Sequence, residues 1–277
     1  MSKWTIKRRT ELAYQRAVTR LLEDSFFICV TSLSSNNMLE KINEYIESQA
    51  FADFAQATAG MMVSNLFGDI GRSWREAARL DSNGRLIYDL LMDDLAGARG
   101  ETVRRIAQEN AQLIKSLPAS VADDVTAYIM RETLKGRRPE DIEKDLHKLF
   151  PKRSKARAKL IARTEAAKTQ TALLRSDCDL VGAEYYFWRS SHDARTRHSH
   201  SSMDGVLCSW HSPPNPERLF RENKVKPYGE YHPGETFNCR CYAEPLVSRS
   251  QLSENTYRMH QNGRIVRVTK ATLLKLI

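Results

Sequence analysis

Residues that interrupt helices are almost missing from the first part of this chain and crowded near its end. The first glycine is Gly60 and the first proline is Pro118, whereas six of the nine prolines fall between Tyr185 and Pro245. A long run without breakers is a helical signal, because glycine and proline are the residues a helix interior tolerates least. The distribution predicts an α+β chain: an extended, mainly α-helical N-terminal part followed by a small, loop-rich mixed α/β unit.

Apolar spacing fills in the helical part. Leu12, Ala13, Arg16, Ala17, Arg20 and Leu21 stand at helical intervals and predict a first helix over Thr5–Asp24. Phe26–Val30 is short and apolar and fits either a buried helix or a strand. Ser34–Asn37 reads as a turn before a second helix, from Met38 to about Gly60, and Asp81–Gly84 reads as another turn. Ser73–Glu76 is expected to open a short helix of its own. A long pattern over Arg85–Ser116 is expected to stop at Pro118, and another helix follows over Ser120–Lys135. Pro139 suits the first turn of the next helix, and Pro151 is expected to break it before a further helix over Ser154–Ser176. The texture changes between Gly182 and Tyr185, where the aromatic, β-prone run Tyr185–Trp188 begins. Near the end, Arg264–Val268 alternates like an edge strand or a segment that docks on a partner.

The formal net charge is +9. A surplus of that size favours polyanions or is simply a solvated basic surface. Lys152, Arg153, Lys155, Arg157 and Lys159 open the Ser154–Ser176 pattern with dense positive charge. They read either as a solvated helix face or as contacts for phosphate or an acidic partner. No apolar run reaches the ~18 residues that would span a bilayer, so no membrane association is expected. The start of the chain lacks a leader-like apolar stretch, which predicts a cytosolic origin. Five unevenly spaced cysteines then argue against a disulfide framework and for reduced or metal-binding thiols.

The segment Tyr185–Pro245 holds five of the seven histidines and three of the five cysteines, and near its end reads Cys239-Arg240-Cys241. If that tripeptide lies in a strand, alternation turns both thiols to one face. Zinc takes four Cys or His ligands in closed sites. Cys239 and Cys241 with His200 and His232 form the leading set, with Cys208, His198 and His211 as substitutes. One structural zinc would compensate a loop-rich unit for its small core. Two ordinary thiols beside surface histidines is the competing reading. Asp193, Arg195, Arg197, His198, His200 and Asp204 are also crowded enough for a metal-dependent nuclease or a toxin-like enzyme. No phosphate-binding Gly-rich loop, nucleophile elbow or His-Glu-x-x-His helix is present. The plainer expectation is a structural polar network of Asp193, Arg195, Arg197 and Asp204, joined by Arg163 and Glu165, and no enzymatic activity.

Five motifs occur together and in order. They are Ile161-Ala162-Arg163-Thr164-Glu165, the strand ending at Trp188, Asp193-x-Arg195-Thr196-Arg197, His200-x-x-Met203-Asp204-Gly205, and Tyr231-x-Pro233-Gly234 leading to Asn238-Cys239-Arg240-Cys241. This ordered set resembles the Mu F-like minor head proteins of tailed bacteriophages, the head morphogenesis family, over about Gln108–Val247. The resemblance implies a virion component, assembled in the bacterial host cytoplasm and located at the portal vertex or capsid interior. It implies partners among the portal, major capsid and scaffold proteins, and non-specific DNA contact during assembly, packaging or ejection. His200, Cys239 and Cys241 match the family's His and Cys-Arg-Cys positions, whereas His232 stands where a non-ligand residue is expected. On this reading residues 1–117 are a helical region for portal or capsid binding. Residues 118–182 are the helical part of the Mu F-like domain, 183–250 its compact Cys/His unit, and 251–277 a tail.

Overall fold

A computed structural model describes residues 3–33, 37–79, 84–94, 97–222 and 228–275. Residues 34–36 of the expected turn Ser34–Asn37 and residues 81–83 of the expected turn Asp81–Gly84 lie outside the described residues. The architecture is α+β. Long helices come first: α1 (Arg8–Thr31), α2 (Met38–Glu47), α3 (Gln49–Ala78), α4 (Gly84–Asp93), α5 (Ala98–Leu134) and α6 (Pro139–Val181). Then come β1 (Tyr185–Arg189), α7 (His198–Ser202), β2 (Val206–Ser209), α8 (Pro216–Leu219), β3 (Tyr242–Pro245), β4 (Thr256–Gln261), β5 (Arg264–Thr269) and α9 (Lys270–Leu273).

The chain forms two compact units, one of Arg8–Ser64 with Arg105–Ala162, the other of Met1–Lys7, Asn65–Arg104 and Arg163–Ile277. The first is helical. Along α1, Tyr14, Val18, Leu21, Leu22, Phe26 and Cys29 are buried at three- and four-residue intervals, one stripe of an amphipathic helix. That stripe carries Phe26–Val30 into the helix, and Phe26 stacks on Phe150 with ring centroids 4.4 Å apart. The expected second helix is divided at Ser48, whose backbone is extended. Its Oγ donates to the Tyr45 carbonyl and accepts from the Phe51 N–H, so one residue ends α2 and starts α3.

Two expected breaks do not occur. Pro118 lies inside α5 and Pro151 inside α6. A proline in a helix interior costs about 3 kcal/mol. Around Pro118, Ile114, Leu117, Val121 and Val125 are buried, and each such side chain stabilises by roughly 1.5–3 kcal/mol. Leu146, Phe150 and Ala158 do the same around Pro151. Burial on both sides of each proline outweighs the local penalty, so the separate helices expected on either side are continuous. Ser73–Glu76 likewise opens no helix, because it lies within α3.

The second unit contains a five-stranded mixed sheet in the order β3-β1-β2-β4-β5, in which only β2 and β4 run parallel. The predicted edge strand at Arg264–Val268 is β5, at one end of this sheet. Gly182, with φ +70°, ends α6 in the left-handed conformation favoured there by glycine, and β1 follows. Alternation along β1 gives it two working faces. Phe187 joins Leu207, Leu246, Leu252, Met259 and Leu273 in an apolar cluster. Tyr186 and Trp188 point the other way, toward Trp210, His232, His200 and Tyr231. The same unit also buries an ion pair. Arg99 Nε lies 2.6 Å from Asp177 Oδ1, both side chains are 2% exposed, and the Trp74 indole N–H donates to Asp177 Oδ2.

Candidate metal centre

Trp188 of β1 packs edge-on against His200, one of three side chains that converge in a pocket. His200 comes from α7, Cys239 and Cys241 from the loop that precedes β3, and all three are buried. The Cys-Arg-Cys tripeptide is not in a strand; it lies just before Tyr242, where β3 starts. Strand alternation therefore does not align the thiols. A turn does: the Cys239 N–H donates to the Thr236 carbonyl, Asn238 adopts φ +58°, and the Cys241 N–H folds back onto Cys239 Sγ at 3.4 Å. The preceding turn is pressed against α6. Thr171 Oγ1 donates to the Pro233 carbonyl, and a Cβ on Gly234, at φ +91°, would sit 2.9 Å from Thr171 Oγ1. Only glycine meets both demands.

Nδ1 of His200 lies 3.4 Å from Cys239 Sγ and 3.5 Å from Cys241 Sγ. A tetrahedral zinc, with bonds of about 2.3 Å to sulfur and 2.0–2.1 Å to nitrogen, sets nitrogen and sulfur ligands roughly 3.5 Å apart. The donor types and their spacing fit such an ion. The far side of the imidazole is also arranged for this. His200 Nε2 lies 2.9 Å from the Tyr231 hydroxyl, which donates to Glu217 Oε1 at 2.7 Å. A carboxylate that accepts the phenol proton leaves the phenol oxygen to accept from Nε2–H, so the Nδ1 lone pair faces the sulfurs. Glu217 is buried at the start of α8, whose first turn is capped by the Asn215 side chain. Cys239 is the sulfur that ionises first. A hydrogen bond from Cys241 holds its thiol far below the ordinary range, with further help from His200. Cys241 is pushed up correspondingly by that shared hydrogen bond and by burial.

The other expected ligands are placed elsewhere. His232 is buried, but its Nδ1 meets the Tyr186 hydroxyl at 2.9 Å, and it is not among the clustered donors. Burial, with the charge of Arg175, pushes its pKa down to about 4. Cys208 is buried on β2 beside Tyr186, and burial pushes its thiol up. His198 and His211 are exposed.

Of the expected polar network, Arg163, Asp193, Arg195 and Arg197 line the same pocket. Asp193 accepts from the Arg195 N–H and pairs with Arg240 at 2.8 Å, and these partners hold its carboxyl below the usual range. Arg197 donates to Thr236 Oγ1 and the Phe237 carbonyl. Arg163 donates to Asn238 Oδ1, whose own N–H donates to Thr164 Oγ1, so α6 grips the turn before Cys239. Asp204 accepts from the Ser190 N–H. Glu165 pairs instead with Lys168 on its own helix. In the helical unit, Lys152, Arg153, Lys155 and Lys159 are exposed, whereas Arg157 is tied to Asp124 and Ser120.

Glu217 and Tyr231 are the supporting residues whose role the sequence hides. Glu217 reads only as an acidic residue in a capped first turn, and nothing in its spacing links it to His200.

A family model described as Phage Mu protein F like protein matches residues 119–244. A protein of Haemophilus influenzae, itself uncharacterized, is 30% identical over 151 residues, 54% of this chain and 31% of the relative. The matched stretch thus covers less than a third of that relative's length. No solved structure matches. The matched segment contains the His200, Cys239 and Cys241 cluster and its Tyr231–Glu217 support, and over residues 119–244 this chain is similar to the Phage Mu protein F like family.

Proposed function

We propose that this chain is a phage minor head protein that docks at the portal vertex or capsid interior during head assembly. The observation that carries this reading is the family match over residues 119–244, since that family is one of phage head morphogenesis. The partners are the portal protein, the major capsid protein or a scaffold protein, and the helices within residues 1–117 offer the surface for them. Exposed large apolar side chains at Phe27 and Leu39 suit such a surface. Among the described residues no helix is long and apolar enough to cross a membrane.

DNA contact in this reading is electrostatic and blind to sequence. Lys152, Arg153, Lys155 and Lys159 project from one stretch of α6, and a net charge of +9 favours a polyanion. One zinc ion, held by His200, Cys239 and Cys241, fixes the loop before β3 as a rigid knob. The support is the donor chemistry and the 3.4–3.5 Å spacing. Zinc supplies folding energy in this role.

Two measurements test the proposal. Co-expressed with its portal and capsid proteins, the chain is expected to co-purify with portal-containing particles, and its deletion to lower the yield of infectious virions. Absence from such particles together with normal virion yield overturns the reading. For the metal, Cys239→Ser is expected to abolish zinc in the purified protein and to open residues near 231–241 to protease while the helices resist. A metal-free, equally resistant wild type would make the thiols incidental. Metal-dependent cleavage of nucleic acid, lost in His200→Ala with the fold intact, would replace the structural role by a nuclease one.

A further inference from the structure

The three donors do not close their site. Among the described residues no fourth His, Cys, Asp or Glu joins His200, Cys239 and Cys241. A tetrahedral ion with three protein ligands keeps one position for water or an outside ligand. The same three side chains line a cavity of about 140 Å³ whose walls carry Arg163, Arg195, Arg197 and Arg240 against a single carboxylate, Asp193. Two thiolates already balance a divalent ion, so the excess of guanidinium charge remains for something that enters.

Three of these arginines are held in place before anything binds. Arg163 is fixed by Asn238, Arg197 by Thr236 and the Phe237 carbonyl, and Arg240 by Asp193. Planar guanidiniums in fixed positions suit a tetrahedral oxyanion better than a diffuse charge does. The volume is well below the ~300–1,000 Å³ of ordinary small-molecule pockets, which favours one compact anion over a nucleobase or a larger metabolite.

We propose that this centre keeps an open fourth position which takes an anion of the phosphate class, seated between the metal and the arginines. The inference rests on the metal reading above and adds to it a ligand. The anion is either free phosphate or a phosphodiester of a nucleic-acid backbone, and the two share the same recognition chemistry.

The test uses the full chain loaded with cobalt(II) in place of zinc. Thiolate coordination is expected to give a sulfur-to-cobalt charge-transfer band. Inorganic phosphate is expected to shift the cobalt d–d bands saturably, and Arg240→Gln to weaken that response at least ~10-fold, the loss of one charge-assisted hydrogen bond, with the charge-transfer band unchanged. A parallel titration uses a short single-stranded oligonucleotide without terminal phosphates. A response to phosphate alone assigns the free anion, and a response to the oligonucleotide assigns a backbone phosphate. No charge-transfer band would sink the metal reading and this inference together. A band insensitive to both titrants would sink this inference alone and leave the metal in place.

Discussion

The two compact units hold their shape by different means. The helical unit is organised by apolar stripes: Tyr14 to Cys29 on α1, Ile114 to Val125 on α5, and Leu146, Phe150 and Ala158 on α6. Its ion pairs each keep a partner near the surface, as at Arg157–Asp124 and at the buried Glu132, which pairs with the more exposed Arg131, Lys135 and Arg137. The unit that contains the sheet also has an apolar cluster, but it buries polar chemistry as well: the Arg99–Asp177 pair, the His200–Tyr231–Glu217 relay and the paired thiols. Apolar burial is non-directional and tolerates drift in register. Buried polar groups tolerate none, because each unmet donor or acceptor carries its full desolvation cost. Precision, more than stability, is concentrated around the His/Cys pocket.

The largest expected effect breaks the polar side of that comparison. Asp177→Ala leaves Arg99 buried without its partner and is expected to cost about 3–5 kcal/mol, measured by urea unfolding. The double change Arg99→Met with Asp177→Leu is expected to recover most of that loss. Failure to recover would mean that the pair contributes stability, not only geometry. In the helical unit, Leu22→Ala is expected to cost about 2–5 kcal/mol by leaving a cavity, with no polar change able to rescue it.

Acid is expected to act next, through His232. Its folded pKa of about 4 lies below the ordinary value of 6.5 because burial disfavours the charged ring. The unfolded chain therefore takes the proton first. Stability is full above pH 6.5 and falls as the pH drops from there toward 4, by about 3 kcal/mol at most. His260 is shifted in the same direction by burial and adds to this slope. Unfolding followed against pH in His232→Gln is expected to show a shallower acid limb, and an unchanged slope would assign the effect elsewhere.

A smaller change sharpens the account of the pocket. Tyr231→Phe removes the hydroxyl between His200 and Glu217 and is expected to lower metal affinity ~10–100-fold. Competition with a chromophoric chelator measures it, and unaltered affinity would mean that the relay does not orient the ring. The smallest stability effect belongs to the exposed cations. Lys152→Glu, Lys155→Glu and Lys159→Glu together are expected to shift stability by under ~0.5 kcal/mol per site. The same variant is expected to lower DNA affinity and flatten its salt dependence, read by binding at several ionic strengths.

Much of this was legible in the chain itself. The scarcity of breakers before Pro118 marked the helical part, Gly182 marked its end, and the alternation of Arg264–Val268 marked the edge strand. His200, Cys239 and Cys241 stood out by residue type. What misled were local rules applied where long-range burial prevails. Pro118 and Pro151 are breakers only if nothing on either side is worth keeping helical, and Ser48, an ordinary serine by composition, divides two helices because its hydroxyl serves both ends.

Sequence alone determined the class of fold, the basic balance and the set of candidate sulfur and imidazole donors, because these follow from composition and short-range periodicity. Tertiary structure decided which histidine faces the thiols. His200 and His232 are alike by residue type, and only the family resemblance separates them in one dimension, yet in the fold one is oriented by Tyr231 and Glu217 and the other meets Tyr186. Hydrogen-bond partners tens of residues away select between them, and no spacing rule encodes a partner that distant.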